Sequence, residues 1–586
     1  MKYTLRSNLP TISDDYVEDV LRERGIAEPD RFKKPTKEDL LDPYGIVNIE
    51  AGVDLLASHI AKGSKIFLQV DADADGYSSS AIFHNYMQKV APNTEIVWRV
   101  HEGKQHGVIP ETVPDDCALV VIIDAGSNQE ADISYLYELG KEVLIIDHHH
   151  PESEFSSGVL VNNQMLDYEN PWLSGGGVMY KFLQVFDDKY AQEPYADSQL
   201  DLVALSLISD MMNLSSYENR YLIWAGLREV HNHGLRALIE KQEYSIGDIT
   251  NLTPEKIAFY ITPLINAIVR VGTKSEKETM FLAFIDGTRR LPSEKRGAKA
   301  GDIETAAQQT ARVATNARNR QNKLKDQAIA LMQQKIIKYG LDKHKVILIT
   351  LDERESEIVD STLTGLIAMQ LTKQYKRPIL ITRSNDEGTI FSGSGRGIND
   401  SALDDFRLFC EESGVIEYAQ GHAQAFGYSI SKVNREAFLK YADEKLANID
   451  FTESFYEVDY EFTEQDDIYS PILQLGEANQ MWGQGVTAPI FVIKDAQVFA
   501  KDVQIMGKNK EHLKMKIAGV DCVKFFATDL MNQIAGVGSF RISILGKANI
   551  NNWMGRTTPQ FMIDDYEVHP NTYDFWLTNS PFCGII

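Results

Sequence analysis

Along the first 150 positions, short apolar runs rich in β-branched residues alternate with longer stretches of helical periodicity. The runs at 65–70, 119–123 and 143–146 are nearly continuous in hydrophobic character, the pattern of strands covered on both faces of a parallel sheet. Each run ends on acids. The first enters Asp71-Ala72-Asp73-Ala74-Asp75-Gly76, the second Asp124, and the third Asp147-His148-His149. A further amphipathic run at 200–208 reads as a helix and ends on Ser209-Asp210. In an open α/β sheet the carboxyl ends of the strands form the crevice where ligands bind. The pattern therefore delivers carboxylates and imidazoles to one place, a candidate divalent-metal site.

Other uses of the same residues fit less well. Asp-x-Asp-x-Asp-Gly also opens a calcium loop of the EF-hand type, which needs a glutamate at its twelfth position. Counted from Asp71 that position is Ile82, and the flanks read as strand then helix. A structural zinc site would use paired cysteines. Cys117, Cys410, Cys522 and Cys583 are scattered instead. A lone aspartate after a strand is often only a helix cap, yet three motifs coincide here. Mostly carboxylate oxygen with one or two imidazoles suits manganese or magnesium. Two such ions can activate a nucleophile and stabilise an in-line displacement at phosphorus.

These residues carry a resemblance. Asp71-x-Asp73-x-Asp75-Gly76, Asp124-Ala125-Gly126, Asp147-His148-His149 and Leu207-Ile208-Ser209-Asp210 resemble the four metal motifs of the DHH phosphoesterases. Ser174-Gly175-Gly176-Gly177-Val178, Glu218-Asn219-Arg220 and Pro263-Leu264-Ile265-Asn266-Ala267-Ile268-Val269-Arg270 narrow the resemblance to the RecJ single-strand exonucleases. Gly393-Ser394-Gly395-Arg396 and Gly421-His422-Ala423-Gln424-Ala425-Phe426-Gly427 are similar to the signatures of that family's DHHA1 domain. Trp482-Gly483-Gln484-Gly485 and Glu511-His512-Leu513-Lys514 are similar to motifs of its OB domain. The similarity runs in order from about residue 15 to about residue 567. Two departures stand out. Gln420 precedes Gly421-His422 where a glycine is usual, and His101 and Lys104 lie where the family carries an arginine-led phosphate motif.

The resemblance implies two α/β domains, DHH and DHHA1, joined by a long helix around a cleft and followed by a β-barrel (OB) domain. It divides the chain into a lead-in at 1–50, the metal-binding DHH domain at 51–230 and a helical connector at 231–335. The DHHA1 domain follows at 336–450, the OB domain at 451–568 and a short tail at 569–586. The implied activity is 5′-to-3′ hydrolysis of single-stranded DNA to mononucleotides, in recombination and repair. The expected centre uses Asp73, Asp75, Asp124, Asp147, His148 and Asp210 for two divalent ions, Mn2+ or Mg2+, with Asp71 and His149 assisting. Arg270, Ser394, Arg396 and His422 are expected on phosphates, with His101 or Lys104 in place of the missing arginine. Gly393–Arg396 reads as a flexible turn. The alternatives are a DHH phosphodiesterase of short oligonucleotides or dinucleotides, and a catalytically silent single-strand-binding protein.

Composition adjusts this picture. At 586 residues the chain can bury several cores. No apolar run approaches the ~20 residues that span a bilayer, so no membrane partner is expected. The start of the chain shows no apolar signal region, and the scattered cysteines suit a reducing cytoplasm. A net charge of −25 argues against coating nucleic acid through the whole surface. Local cations must then hold the strand. The stretch 311–325 carries Arg312, Arg318, Arg320, Lys323 and Lys325 with no acid, and Arg312, Arg320 and Lys323 share one ~80° sector of a helix. Lys508, Lys510, Lys514 and Lys516 form the second basic stretch, with lysines on one side of a strand. Single-stranded DNA is the expected partner, with repair or replication proteins as further candidates.

Overall fold

The computed structural model describes residues 1–6, 15–103, 105–152, 157–166, 168–247, 249–250, 252–384, 389–399, 401–451, 455–553 and 556–569. Strands Ile66–Val70, Leu119–Ile123 and Glu142–Asp147 form where the apolar runs predict them, joined by Ile96–Val100 and Val159–Asn162. All four pairings are parallel, in the order 96–100, 66–70, 119–123, 142–147, 159–162. Alternate residues of one strand serve opposite layers. Leu119, Val121 and Ile123 pack into the core shared with helices Ala74–Val90, Gly175–Tyr190 and Leu200–Ser209. Val120 and Ile122 face the other side, against Ile133 and Leu136 of helix Glu130–Glu138. The strand order reverses between Ile66–Val70 and Leu119–Ile123, and such a switch point opens a crevice at the strand ends. Asp71 and Asp124 immediately follow these two strands.

Past helices Thr262–Val271 and Lys274–Asp286, one long helix runs from Ala306 to Tyr339. Thr305 and Gln308 form its capping box, and Gly340 ends it in the left-handed conformation. Its 34 residues span about 50 Å at 1.5 Å per residue. This helix leads into a second sheet, ordered 416–422, 425–431, 390–396, 379–384, 347–351. Ile347–Leu351 and Ile379–Ser384 pair in parallel across helix Thr364–Tyr375, while the other pairings are antiparallel. Here one expectation is corrected. Gly393-Ser394-Gly395-Arg396 is part of strand Ile390–Arg396, hydrogen-bonded on both sides, rather than a turn. Its glycines are there for close approach: a Cβ at Gly393 would collide with the Ile381 carbonyl, and one at Gly395 would lie 2.6 Å from the Phe426 ring.

The C-terminal part is a seven-stranded sheet with one main core and a smaller cluster around Val458, Val492 and Leu545. The apolar stretch at 456–462 is split into strands Phe455–Val458 and Tyr460–Thr463 by buried Asp459. The Asp459 carboxylate accepts the Ile490 N–H at 2.7 Å and pairs with the Arg24 guanidinium at 2.6 Å. Arg24 follows helix Tyr16–Glu23, and Val17, Val20, Leu21 and Phe32 complete the C-terminal core. Strand Lys2–Leu5 pairs with Phe455–Val458. The lead-in thus docks on the last domain. No helix among the described residues is long and apolar enough to cross a membrane.

Candidate metal centre

Most acids of the centre are placed at or just past the end of a strand, and Asp210 just past a helix. Asp73 caps helix Ala74–Val90, its side chain accepting the Gly76 N–H at 2.9 Å. Asp71 accepts the Gly107 N–H at 2.8 Å and meets His106 Nδ1 at 2.7 Å. Asp75 is buried at the start of helix Gly175–Tyr190, accepting the Gly175 N–H at 2.8 Å, the Gly176 N–H at 3.2 Å and the Ser206 hydroxyl. A helix N-terminus favours an anion there. Burial and the adjacent Asp73 nevertheless push the Asp75 carboxyl above the usual carboxylate range.

Asp124 sits in the left-handed region with φ +64°, a conformation that a non-glycine residue seldom adopts and that turns its side chain away from the strand. The helix start comes so close that a Cβ on Gly175 would lie 2.6 Å from Asp124 Cβ. Burial, then Asp75, Asp73, Asp71 and Asp210, push the Asp124 carboxyl well above its ordinary range. Asp210, after helix Leu200–Ser209, is raised by burial, Asp75 and Asp73. Like charges so crowded cannot all ionise without a cation among them.

Asp147 has a different role. Its Oδ1 accepts the His148 N–H at 2.7 Å, the His149 N–H at 3.2 Å and His149 Nδ1 at 2.8 Å, and its Oδ2 accepts the Ser127 N–H at 3.0 Å. Although burial opposes it, the His149 contact holds Asp147 below the ordinary range, and the same bond raises His149 to about 9. His148 behaves oppositely: burial and then His149 lower it to about 4. Its Nε2 is buried without a hydrogen-bond partner, 3.2 Å from Asp124 Oδ1 and 3.4 Å from Asp210 Oδ2. A neutral imidazole presenting a lone pair between two carboxylates is a metal ligand's arrangement.

Three groups of ligand atoms each lie within 4.8 Å of one another: Asp124, Asp147, His148 and His149; Asp75, His148 and Asp210; and Asp71, Asp73 and Asp124. All eight residues expected at the centre are therefore brought together. Asp124 and His148 each belong to two groups. The donor set is carboxylate oxygen and imidazole nitrogen without sulfur, which fits manganese or magnesium. Asn162, at the end of the last strand, donates to the His149 carbonyl at 2.8 Å and the Ser127 hydroxyl at 3.0 Å and so braces the Asp-His-His turn. Hydrogen bonds of this kind fix a ligand's orientation.

A cavity of about 150 Å³ opens over the centre, lined by Asp73, Asp75, Asp210, His106, Asn266 and Arg270 among others. Arg270 is where the sequence expects it. Asn266 lies one turn earlier on helix Thr262–Val271, and its place in the same motif was the available signal. For His106 the available signal was its place in the 101–107 stretch that departs from the family's arginine-led motif. The loop bearing His106 is tied down by buried Lys277, whose ammonium donates to the carbonyls of His101 and Glu102.

The remaining expected phosphate contacts are placed differently from one another. Ser394 and Arg396 lie beside helix Thr364–Tyr375, with the Ser394 and Thr364 hydroxyls 2.9 Å apart. His422 is exposed at a hairpin whose Gln420 reaches Glu152, 3.4 Å away, beyond the Asp-His-His turn. Lys508 and Lys514 are on the outer surface of the last domain, Lys514 with Asp521 at 3.3 Å. His101 is buried, its Nε2 3.2 Å from Gln69 Nε2 and 3.9 Å from Asp71 Oδ1, so it stands behind the centre rather than in the cavity. Arg312 pairs with Glu304 at 2.9 Å and Arg320 with Glu276 at 2.5 Å. Lys104 and most of the 569–586 tail lie outside the described residues.

Comparison with known proteins matches residues 65–207 to the DHH family N-terminal domain and residues 458–565 to the RecJ OB domain. A putative prophage-derived single-strand DNA-specific exonuclease of Bacillus subtilis, YorK, is 34% identical over 94% of this chain and 95% of its own. The single-stranded-DNA-specific exonuclease RecJ of the same organism is 26% identical over 94% of this chain and 68% of its own. The crystal structure of Thermus thermophilus RecJ in complex with Mn2+ shares the fold, with a TM-score of 0.71, 20% identity, and coverage of 97% of this chain and 79% of that one.

Proposed function

The chain belongs to the RecJ family of single-strand DNA-specific exonucleases within the DHH superfamily, and from that premise we propose a 5′-to-3′ exonuclease that hydrolyses phosphodiester bonds with two divalent ions. Asp73, Asp75, Asp124, Asp147, His148 and Asp210 hold the ions, Mn2+ or Mg2+, with Asp71 and His149 supporting them. The observation that carries this reading is the buried His148 Nε2, within 3.4 Å of carboxylates from Asp124 and Asp210 at the switch point. When bound, such ions supply Lewis acidity at a phosphoryl group and make water a better nucleophile.

The chain's own groups do the rest. Asp124 and His148, each common to two ligand groups, are the side chains best placed to serve both ions. Asp147 contributes its carboxylate and fixes both imidazoles through the bonds it accepts. Arg270 lines the cavity and binds the phosphate to be cleaved. Arg396, with Ser394 and His422, holds the 5′ end from the opposite wall. Residues 51–230 thus carry the chemistry, 231–335 join the walls, 336–450 grip the end, and 451–568 receive the incoming strand. Lys508 and Lys514 contribute cations there. Free buried thiols at Cys117, Cys410 and Cys522 support a cytoplasmic setting.

Digestion of end-labelled single- and double-stranded DNA tests the reading. The expected result is mononucleotides released from the 5′ label of single strands with Mn2+ or Mg2+, and none in EDTA. Release from 3′ ends, or activity that survives EDTA, contradicts it.

A further inference from the structure

Of the three cations between 311 and 325 that share a sector, two are neutralised, Arg312 by Glu304 and Arg320 by Glu276. Arg318 is placed differently. At 100° per residue it falls ~40° from Ala314 and ~60° from Gln321, and ~120–160° from Arg312 and Arg320. Ala314 and Gln321 are buried, and Ala314 shares a core with Ile265 and Ile268 of helix Thr262–Val271. Arg318 therefore lies on the side of the long helix that packs against helix Thr262–Val271, which carries Arg270 in its last turn. Its Nη1 donates to Gln321 Oε1 at 2.7 Å, which holds the guanidinium along that side.

No carboxylate forms an ion pair with Arg318, Arg270 or Arg396 among the described residues. Burial chiefly disfavours the Arg270 charge, with nearby Arg318 adding to it and Asp73 opposing it, and burial and then Arg270 disfavour the Arg396 charge. All three guanidiniums are at least half withdrawn from water. Asp73 offsets part of this repulsion at Arg270, but no described carboxylate pairs directly with any of the three cations, and their remaining charge suits a substrate anion. Arg270 lines the cavity over the acids, so the anion enters from there. Arg396 packs so closely under Gly365 that a Cβ there would lie 2.6 Å from its Nη2. The Thr362 hydroxyl reaches the Arg270 carbonyl at 3.4 Å, which draws the second domain toward that helix end.

We infer that Arg318 is a substrate-binding residue that shares one phosphate of the DNA strand with Arg270, and that Arg312 and Arg320 are structural. The inference rests on the nuclease reading and adds a contact to it. A guanidinium–phosphate pair is charge-assisted and forked, so its loss is felt strongly.

The test compares Arg318→Ala, Arg318→Lys, Arg312→Ala and Arg320→Ala on a short single-stranded oligonucleotide. Binding of a fluorescent oligonucleotide in EDTA is measured beside KM and kcat in Mn2+. Arg318→Ala is expected to weaken binding and raise KM about 10- to 100-fold, with Arg318→Lys recovering part. The other two variants stay within about 3-fold of the parent. Oligonucleotides carrying one neutral methylphosphonate at successive positions then locate the contact. At one position the difference between parent and Arg318→Ala disappears, an outcome that a merely structural residue does not produce. The inference is overturned if Arg318→Ala binds as the parent does, or if its loss is the same at every methylphosphonate position. Failure of the nuclease reading is separate: a parent protein that binds the oligonucleotide in EDTA but does not cleave it in Mn2+ still reports on Arg318.

Discussion

The Leu214 N–H donates to the Gln484 carbonyl at 2.8 Å, joining the loop after Asp210 to the Trp482-Gly483-Gln484-Gly485 motif of the last domain. Arg220 ties the same region together, its Nε bonded to the Phe32 carbonyl, its Nη1 to the Met481 carbonyl, and its guanidinium 3.6 Å above the Phe32 ring. The C-terminal domain thus buttresses the segment that follows Asp210. Deleting it would also strip the partner from helix Tyr16–Glu23.

A subtler change isolates the buttress. Gly485 has φ +78°, and a Cβ there would collide with the Asn213 side chain. Gly485→Ala therefore strains the turn and pushes aside the Asn213 side chain, whose Oδ1 accepts the Ser215 N–H, which disturbs the loop that follows Asp210. We expect kcat to fall about 10-fold, the scale set by small misplacement of catalytic groups, while oligonucleotide binding in EDTA is kept. Unchanged kcat would show that the loop and Asp210 move independently.

Arg396→Ala should slow cleavage of 5′-phosphorylated strands much more than of 5′-hydroxyl strands. Comparing kcat/KM on the two substrates checks this, with a differential of about 10-fold or more expected from one charge-assisted contact. Equal losses would make Arg396 a general backbone contact.

Much of the centre was legible because buried parallel strands must be nearly continuous in apolar residues, which makes their ends, and the acids on them, visible. Asp210 was legible from the end of an amphipathic helix. Contacts distant in sequence were not. Nothing near Arg24 indicates that it meets Asp459, and Glu276, which neutralises Arg320, belongs to another helix. Glycines mislead locally, since Gly393 reads as a turn and serves as a close approach between strands. His101 and His106 look alike in the chain, yet one is buried beside Gln69 and the other lines the cavity.

Glu304 gives a pH dependence away from the metal. Burial raises its pKa, but Arg312, Ser293 and Lys295 outweigh burial and hold the carboxyl down at about 2. A folded-state pKa below the unfolded value contributes stability that is present above about 4.5 and is lost as pH falls toward about 2. Glu304→Gln should cost about 2 kcal/mol at neutral pH. The gap in melting temperature between parent and variant should narrow steadily below pH 4.5. A gap constant from pH 7 to pH 3 would contradict the assigned pairing.

The most direct test of the metal centre is to count ions and turnover together in Asp124→Ala. Isothermal titration with Mn2+ should show two ions per chain in the parent and fewer in the variant. Turnover on single-stranded DNA should fall by orders of magnitude, while circular dichroism confirms the fold. An Asp124→Ala protein that still binds two ions and cleaves at a rate near that of the parent would contradict the account.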